Sequence, residues 1–315
     1  MPFSLGAHVG QQNMSMDAMR AAWRRLDAAG IDWLSCWDHL YEAPPAGGTL
    51  DHFEAIATLG AMCVETQRAR LGNLVFYVGY RNPALLAKAA VTLDHLSGGR
   101  FELGLGGGWH DQEAIAYGYD FPSVGTRLAM LEEAVPLIRS LLSQERTTFQ
   151  GRFFRTENAS CLPRPVGGRH LPIWVGGKGE KRTLRIAARH ADGWNAAYIS
   201  PRHFARLNTT LDNWCDVEGR DPAVIERSIN LAFMLATDDR SAAALEQRMA
   251  AEWGDRWAGV AAGALMGTPD RVVEQLAAYR EAGAQGVNIA LRAPWDEEAL
   301  SAYLELLPTI RAELG

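Results

Sequence analysis

The sequence predicts an α/β fold, a (β/α)8 TIM barrel with insertions. Three observations point to it. Eight short apolar segments recur along the 315 residues, and nearly every one is separated from the next by a stretch of helical periodicity. Glycine-rich loops follow two of these segments, at 106–108 and 176–179, where a barrel places its working loops. With 48% hydrophobic residues, the chain has enough apolar surface to bury one large core, so residues 1–315 read as a single domain.

The elements follow in order. Residues 3–9 alternate enough to form a strand, and 17–29 carry Met19, Ala22, Trp23 and Leu26 at helical spacing until Gly30 closes the helix. The second strand spans 32–37 and its helix 51–65, with the irregular loop WDHLYEAPPAGG between them. Residues 70–78 are the third strand. Asn82 and Pro83 then cap and start a helix that ends at Ser97, Gly98 and Gly99. Residues 101–105 form the fourth strand and 127–142 its helix. The segment at about 147–165, with FQGRFF and LPRP, reads as a hairpin or ordered loop inserted before strand five. Strand five is 173–175 with a helix directly after it. Strand six is 193–197, followed by a helix started at Ser200 and Pro201, and strand seven is 229–236. Residues 241–283 have room for two helices separated by AGVAAGALMG, the second started at Thr268 and Pro269. Strand eight is 286–291, and a final helix runs from about 295 to 311.

Composition excludes several functions. A formal charge of -6 and a pI of about 5.8 argue against a nucleic-acid or anionic-membrane surface. No apolar run approaches the ~20 residues of a membrane span, and the first residues lack a leader pattern, so a soluble, cytoplasmic protein is expected. Cys36, Cys63, Cys161 and Cys215 lie far apart with no C-x-x-C pair, which suggests reduced structural thiols. There is no H-E-x-x-H pair and no G-x-S-x-G elbow, so metal hydrolysis and serine chemistry are disfavoured and no metal is expected. Gly104, Gly106 and Gly107 begin a dinucleotide fingerprint, but Trp109 stands where its last glycine should be.

The most explicit chemistry lies at 171–195. Gly176, Gly177 and Gly179 allow close backbone approach to a ligand, and the helix behind them offers its N-terminal amides to an anion. Lys178, Lys181 and Arg182 fall in or beside the first turn, where cations are disfavoured unless something negative offsets them. Lys178, Lys181, Arg185 and Arg189 share one face by spacing, which suits an extended anionic tail. The competing explanation is a glycine-rich strand-to-helix turn with a solvated outer face. The other strand ends offer Asp38 and His39, then 73–78, then 106–110. His39 is a natural proton carrier and Asp38 could orient it, although such a pair can equally cap a loop. Trp37, Tyr41, Trp109, His110 and Tyr198 could wall a flat apolar pocket or belong to the core.

Four separated segments, WDHLYE, 71–110, FPSVGTRLAMLEEAVPLIRSL and PIWVGGKGEKRTLRIAARHADGWN, together resemble the luciferase-like monooxygenase superfamily, particularly its deazaflavin-dependent oxidoreductases. The resemblance runs from about residue 3 to 198. It implies a barrel holding coenzyme F420, or alternatively FMN, with the ring over the mouth and the phosphate at the loop after strand five, at Gly176, Gly177, Lys178, Gly179 and Arg182. It implies an oxidoreductase passing a hydride between F420 and an organic substrate, with His39 beside the hydride-carrying carbon and Asp38 before it; the alternatives are an FMN-dependent monooxygenase using reduced flavin and oxygen, or a flavin-binding protein without turnover. A bulge with a nonprolyl cis peptide near Asn73, Leu74 and Val75 would support the ring, with Gly106 and Gly107 close by. Where the sugar-phosphate dehydrogenases of the family have a glutamate, this chain has Trp109, which favours an apolar or aromatic small-molecule substrate. The resemblance also implies a homodimer.

Overall fold

Strands that read as unbroken apolar runs are buried on both faces, which is the condition for an all-parallel sheet. The computed structural model describes residues 2–42 and 47–315, and it closes such a sheet into a barrel. Its strands are β1 (Ser4–Val9), β2 (Trp33–Cys36), β3 (Arg70–Asn73), β4 (Phe76–Tyr77), β5 (Phe101–Gly106), β6 (Thr147–Gln150), β7 (Arg155–Ala159), β8 (Ile173–Gly176), β9 (Gly193–Ala197), β10 (Glu226–Leu235), β11 (Ala264–Gly267) and β12 (Gly286–Leu291). The barrel runs β1, β2, β3, β5, β8, β9, β10, β12, and the parallel pairing of β12 with β1 closes it. All eight predicted strands are present, with helices packed around them. Residues 43–46 of the loop after β2 lie outside the described residues.

The predicted punctuation holds where side-chain chemistry dictated it. Asn82 caps the helix Pro83–Leu96 by accepting from the Ala84 amide, and Ser200 caps Pro201–Glu218 by accepting from His203. The insertion is the antiparallel hairpin β6–β7.

Four features differ from the sequence reading. The third strand is interrupted: β3 stops at Asn73, the chain bulges through a cis Leu74–Val75 peptide, and β4 resumes beside β5. β11 was not expected, because ALMG contains no β-branched residue. It forms because β10 overshoots the barrel and offers a free edge, pairing Ala232 to Ala264 through Leu235 to Gly267. Residues 111–116 form a short helix directly after the glycine loop. The last helix is two, Glu297–Glu305 and Leu307–Leu314, with Pro308 in the first turn of the second.

The barrel floor is polar and closed. Trp33 and Trp174 lie 4.5 Å apart between ring centroids, Trp174 Nε1 donates to Glu102 at 2.6 Å, and Arg70 bridges Glu102 and Glu226. Higher in the barrel, Asn195 donates to Ser228 Oγ and Asn230 Oδ1, and Asn288 donates to the same Asn230 oxygen. The cavity lies above this floor, at the carboxyl ends of the strands.

The glycines ending β5 and β8 serve the bulge. A Cβ on Gly176 would sit 2.6 Å from Val75 Cγ1, one on Gly106 would collide with Val75 Cγ2, and one on Gly104 would collide with the Asn73 carbonyl oxygen. Val75 is therefore wedged between two strand ends that carry no side chain. Gly104→Ala forces backbone displacement in a packed layer, so a loss of about 3 kcal/mol is expected. Urea denaturation measures it, and a loss near zero would show that the bulge is not held by this contact.

Candidate active site

The loops after the strands enclose a cavity of about 1570 Å³ at the barrel mouth. That exceeds the roughly 300–1,000 Å³ of a common small-ligand site, leaving room for a large cofactor and a substrate together. Trp37, Asp38, His39, Leu74, Val75, Gly106, Gly107, Trp109, His110, Gly176, Gly177, Lys178, Gly179 and Tyr198 all border it, as the sequence proposed. Three proposed residues do not. Asn73 is fully buried and donates to Cys36 Sγ at 3.5 Å. Tyr41 packs edge-on against Tyr117. Arg182 is tied to the Gly125 carbonyl and to Glu132.

His39 is fixed by a residue that sequence reading missed. Glu113, on the short helix Asp111–Ala116, accepts from His39 Nδ1 at 2.6 Å, from the Leu40 and Tyr41 amides at 2.7 and 3.0 Å, and from the Tyr80 hydroxyl at 3.1 Å. Burial raises the Glu113 carboxyl pKa, but the His39 hydrogen bond and charge and the two amides outweigh it and hold the group down at about 2. An ionised carboxylate only accepts, so Nδ1 carries the hydrogen and Nε2 is the basic nitrogen of the neutral ring. Glu113 left no local signal in the sequence: it stands 74 residues from His39 in a polar D-Q-E run.

Asp38 does not orient His39. Arg81 donates to both of its oxygens at 2.8 and 2.7 Å, and the Tyr77 amide donates at 3.0 Å. Burial pushes the Asp38 carboxyl up, and Arg81 pulls against it. Its place is to tie the loop after β2 to the strand beyond the bulge.

The predicted basic helix face is also corrected. The helix begins only at Thr183, because the chain stays irregular from Gly177, whose φ is +132°. Lys178 and Lys181 are thus on a loop, while Arg185 pairs with Glu218, and Arg189 with Glu132 and Glu218. These pairs link neighbouring helices and leave no room for an anionic tail as the reason for the arginines. Lys178 is different. It borders the cavity beside Gly179, Thr183 and Ser200, has no ion pair among the described residues, and has its ammonium pKa lowered by burial.

Trp37 forms the opposite wall. Gly10 leaves space for its ring, Gln11 donates to its carbonyl at 2.6 Å, and its Nε1 donates to His52 Nε2 at 2.9 Å. The Arg292 guanidinium lies 5.5 Å from the ring centroids of both Trp37 and Tyr198. Phe233, Met234, Leu245, Met249 and Trp253 also border the cavity, together with Arg248 and Arg256. Most of these lie on or beyond the β10 overhang, which the sequence did not assign to the site.

The sequence profile of luciferase-like monooxygenases matches residues 1–286. The chain belongs to the luciferase-like monooxygenase family. This luciferase-like chain is 33% identical over 229 residues to an uncharacterised protein of Mycobacterium tuberculosis, covering 71% of this chain and 72% of that one. It is 33% identical over 233 residues to an F420-dependent glucose-6-phosphate dehydrogenase of Kineococcus radiotolerans, covering 73% and 65% respectively. An F420-dependent secondary alcohol dehydrogenase, solved with an F420-acetone adduct, superposes with a TM-score of 0.87 at 19% identity over 98% of this chain and 99% of that one, which shows a shared luciferase-like fold.

His8 gives the site a pH signature. It is buried, shares a 2.8 Å hydrogen bond with Ser35 Oγ, and is held down at about 3 by burial first, then by the charges of Arg292 and His39. The unfolded chain titrates this group near 6.5, so between about pH 6.5 and 3 the unfolded state binds the extra proton and stability falls as pH falls, by at most about 1.4 kcal/mol per unit from this group. His8→Asn should flatten the stability profile between pH 6 and 4. Parallel profiles for the variant and the native protein, in urea titrations at each pH, would contradict the assignment.

Proposed function

We propose that this chain is an F420-dependent oxidoreductase that transfers a hydride between coenzyme F420 and an apolar or aromatic organic substrate, with His39 moving the accompanying proton. The observation that carries the reading is His39 itself, anchored through Nδ1 by an ionised Glu113 and left with a basic Nε2, at the edge of a cavity large enough for both partners. The names of the dehydrogenase relatives support F420 as the cofactor.

The residues present fit that group. Val75, wedged at the bulge, gives a flat ring an apolar surface to lie on, and Lys178 provides an unpaired cation for an anionic side arm, with Gly179, Thr183 and Ser200 beside it. When bound, coenzyme F420 supplies a hydride donor or acceptor at a ring carbon. The chain supplies the remainder. Val75 and Leu74 set the plane, Trp37, Trp109 and Tyr198 wall the substrate space, and Asp38 holds the bulge to the loop carrying His39. His39 Nε2 takes the hydroxyl proton of an alcohol during oxidation, or its protonated form returns one to a carbonyl oxygen during reduction. Glu113 keeps the ring in one tautomer and stabilises the imidazolium when it forms. The proposal takes residues 1–315 as one domain acting in the cytoplasm as a homodimer, and light scattering after size exclusion tests the dimer. No helix among the described residues is long and apolar enough to cross a membrane.

Two substitutions separate the roles. With F420 turnover followed by absorbance against a panel of alcohols and ketones, His39→Ala should lower kcat about 10²–10⁴-fold. Its affinity for F420 should stay close to native. Lys178→Ala should do the reverse, weakening F420 binding by about 10–100-fold through loss of a charged hydrogen bond. Unchanged turnover in the first variant, or unchanged affinity in the second, would contradict the role given to that residue.

A further inference from the structure

The same mouth places His110, a donor the hydride chemistry does not use, beside His39 and Glu113. His39, His110 and Glu113 each offer a ligand atom, and the three atoms lie within 4.8 Å of one another. His110 is 7% exposed, and its Nδ1 approaches Glu113 Oε2 to 3.5 Å without a hydrogen bond, so a buried ring nitrogen faces the carboxylate unpartnered. A buried polar atom without a partner needs an explanation, and a missing ligand is one.

We infer that His39, His110 and Glu113 form a binding site for a zinc-class divalent cation, whose occupancy switches off His39 as a proton carrier. Two imidazoles and a carboxylate are a preferred donor set for Zn²⁺ and a poor one for Mg²⁺ or Ca²⁺, which take oxygen. Tetrahedral ligands about zinc stand about 3.4 Å apart; His110 Nδ1 is already 3.5 Å from Glu113 Oε2, and an ion would replace the 2.6 Å hydrogen bond between His39 Nδ1 and Glu113 Oε1. The outer shell is already built: the Tyr80 hydroxyl and the Leu40 and Tyr41 amides orient the Glu113 carboxylate. The cavity provides access for the ion and a fourth, open coordination position. The His39 nitrogen that faces Glu113 is Nδ1, so coordination there requires its hydrogen to move to Nε2, and no free lone pair remains on the ring. His110 and Glu113 stand three residues apart at the start of the helix Asp111–Ala116, but His39 comes from the distant loop after β2, so the set matches none of the metal motifs sought in the sequence.

The site itself does not depend on F420 chemistry, and its test uses none. The chain of residues 1–315, stripped with chelator, is titrated with Zn²⁺ and with Co²⁺ as a coloured substitute. Expected are about one ion per chain, a visible Co²⁺ absorption band, and ring nitrogen signals of His39 that move to coordinated positions in ¹⁵N-edited spectra when Zn²⁺ is added. His110→Ala should abolish the Co²⁺ band while retaining the native circular dichroism. His52→Ala, which removes a neighbouring histidine outside the set, should keep the band. Failure of the native protein to hold one ion, or equal binding by His110→Ala, overturns the site. A bound ion with the His39 ring nitrogen signals unmoved overturns the switch.

Discussion

The buried Glu113 carboxylate is the interaction on which the candidate site depends. A charge taken out of water is tolerated only when it is paired and fully hydrogen-bonded, and Glu113 meets that condition with groups from three segments of the chain. His39, Leu40 and Tyr41 come from the loop after β2, Tyr80 from beyond β4, and Glu113 itself from the short helix after β5. The amides cannot be satisfied elsewhere without moving the loop. The position and tautomer of His39 are thus consequences of neutralising one acid.

A second constraint, steric in nature, sets the floor of the same cavity. Val75 occupies the space that side chains at Gly106 and Gly176 would fill, while Asp38 holds the Tyr77 amide beyond the bulge and is itself held by Arg81. Glycine here lets one protein segment approach another, and the bulge then presents a flat apolar surface to the cavity. The electrostatic and the steric constraint meet at adjacent residues, Asp38 and His39, whose side chains go to different partners. Adjacency in sequence therefore did not mean cooperation between them.

The barrel was legible because a period of 3.6 alternating with apolar runs has few other solutions at this length, and because caps such as Asn82–Pro83 and Ser200–Pro201 are local chemistry. The mouth was legible as a set of loops, since strand direction alone collects them on one side. What could not be read were pairings between residues distant in sequence. Arg185 and Arg189 formed a convincing anion-binding face until Glu218 and Glu132 were seen opposite them. Glu113 had no local mark, and β11 exists only because β10 leaves an edge for it. Lys178 differs from the two arginines: it borders the cavity and has no ion pair among the described residues.

The account reduces to a cavity shaped and charged for a deazaflavin. Calorimetric titration of the purified protein with coenzyme F420 and with FMN, side by side in one buffer, tests that most directly. The account predicts saturable binding of F420 at one per chain, with FMN bound much more weakly. Tight FMN binding with no heat from F420 would contradict it.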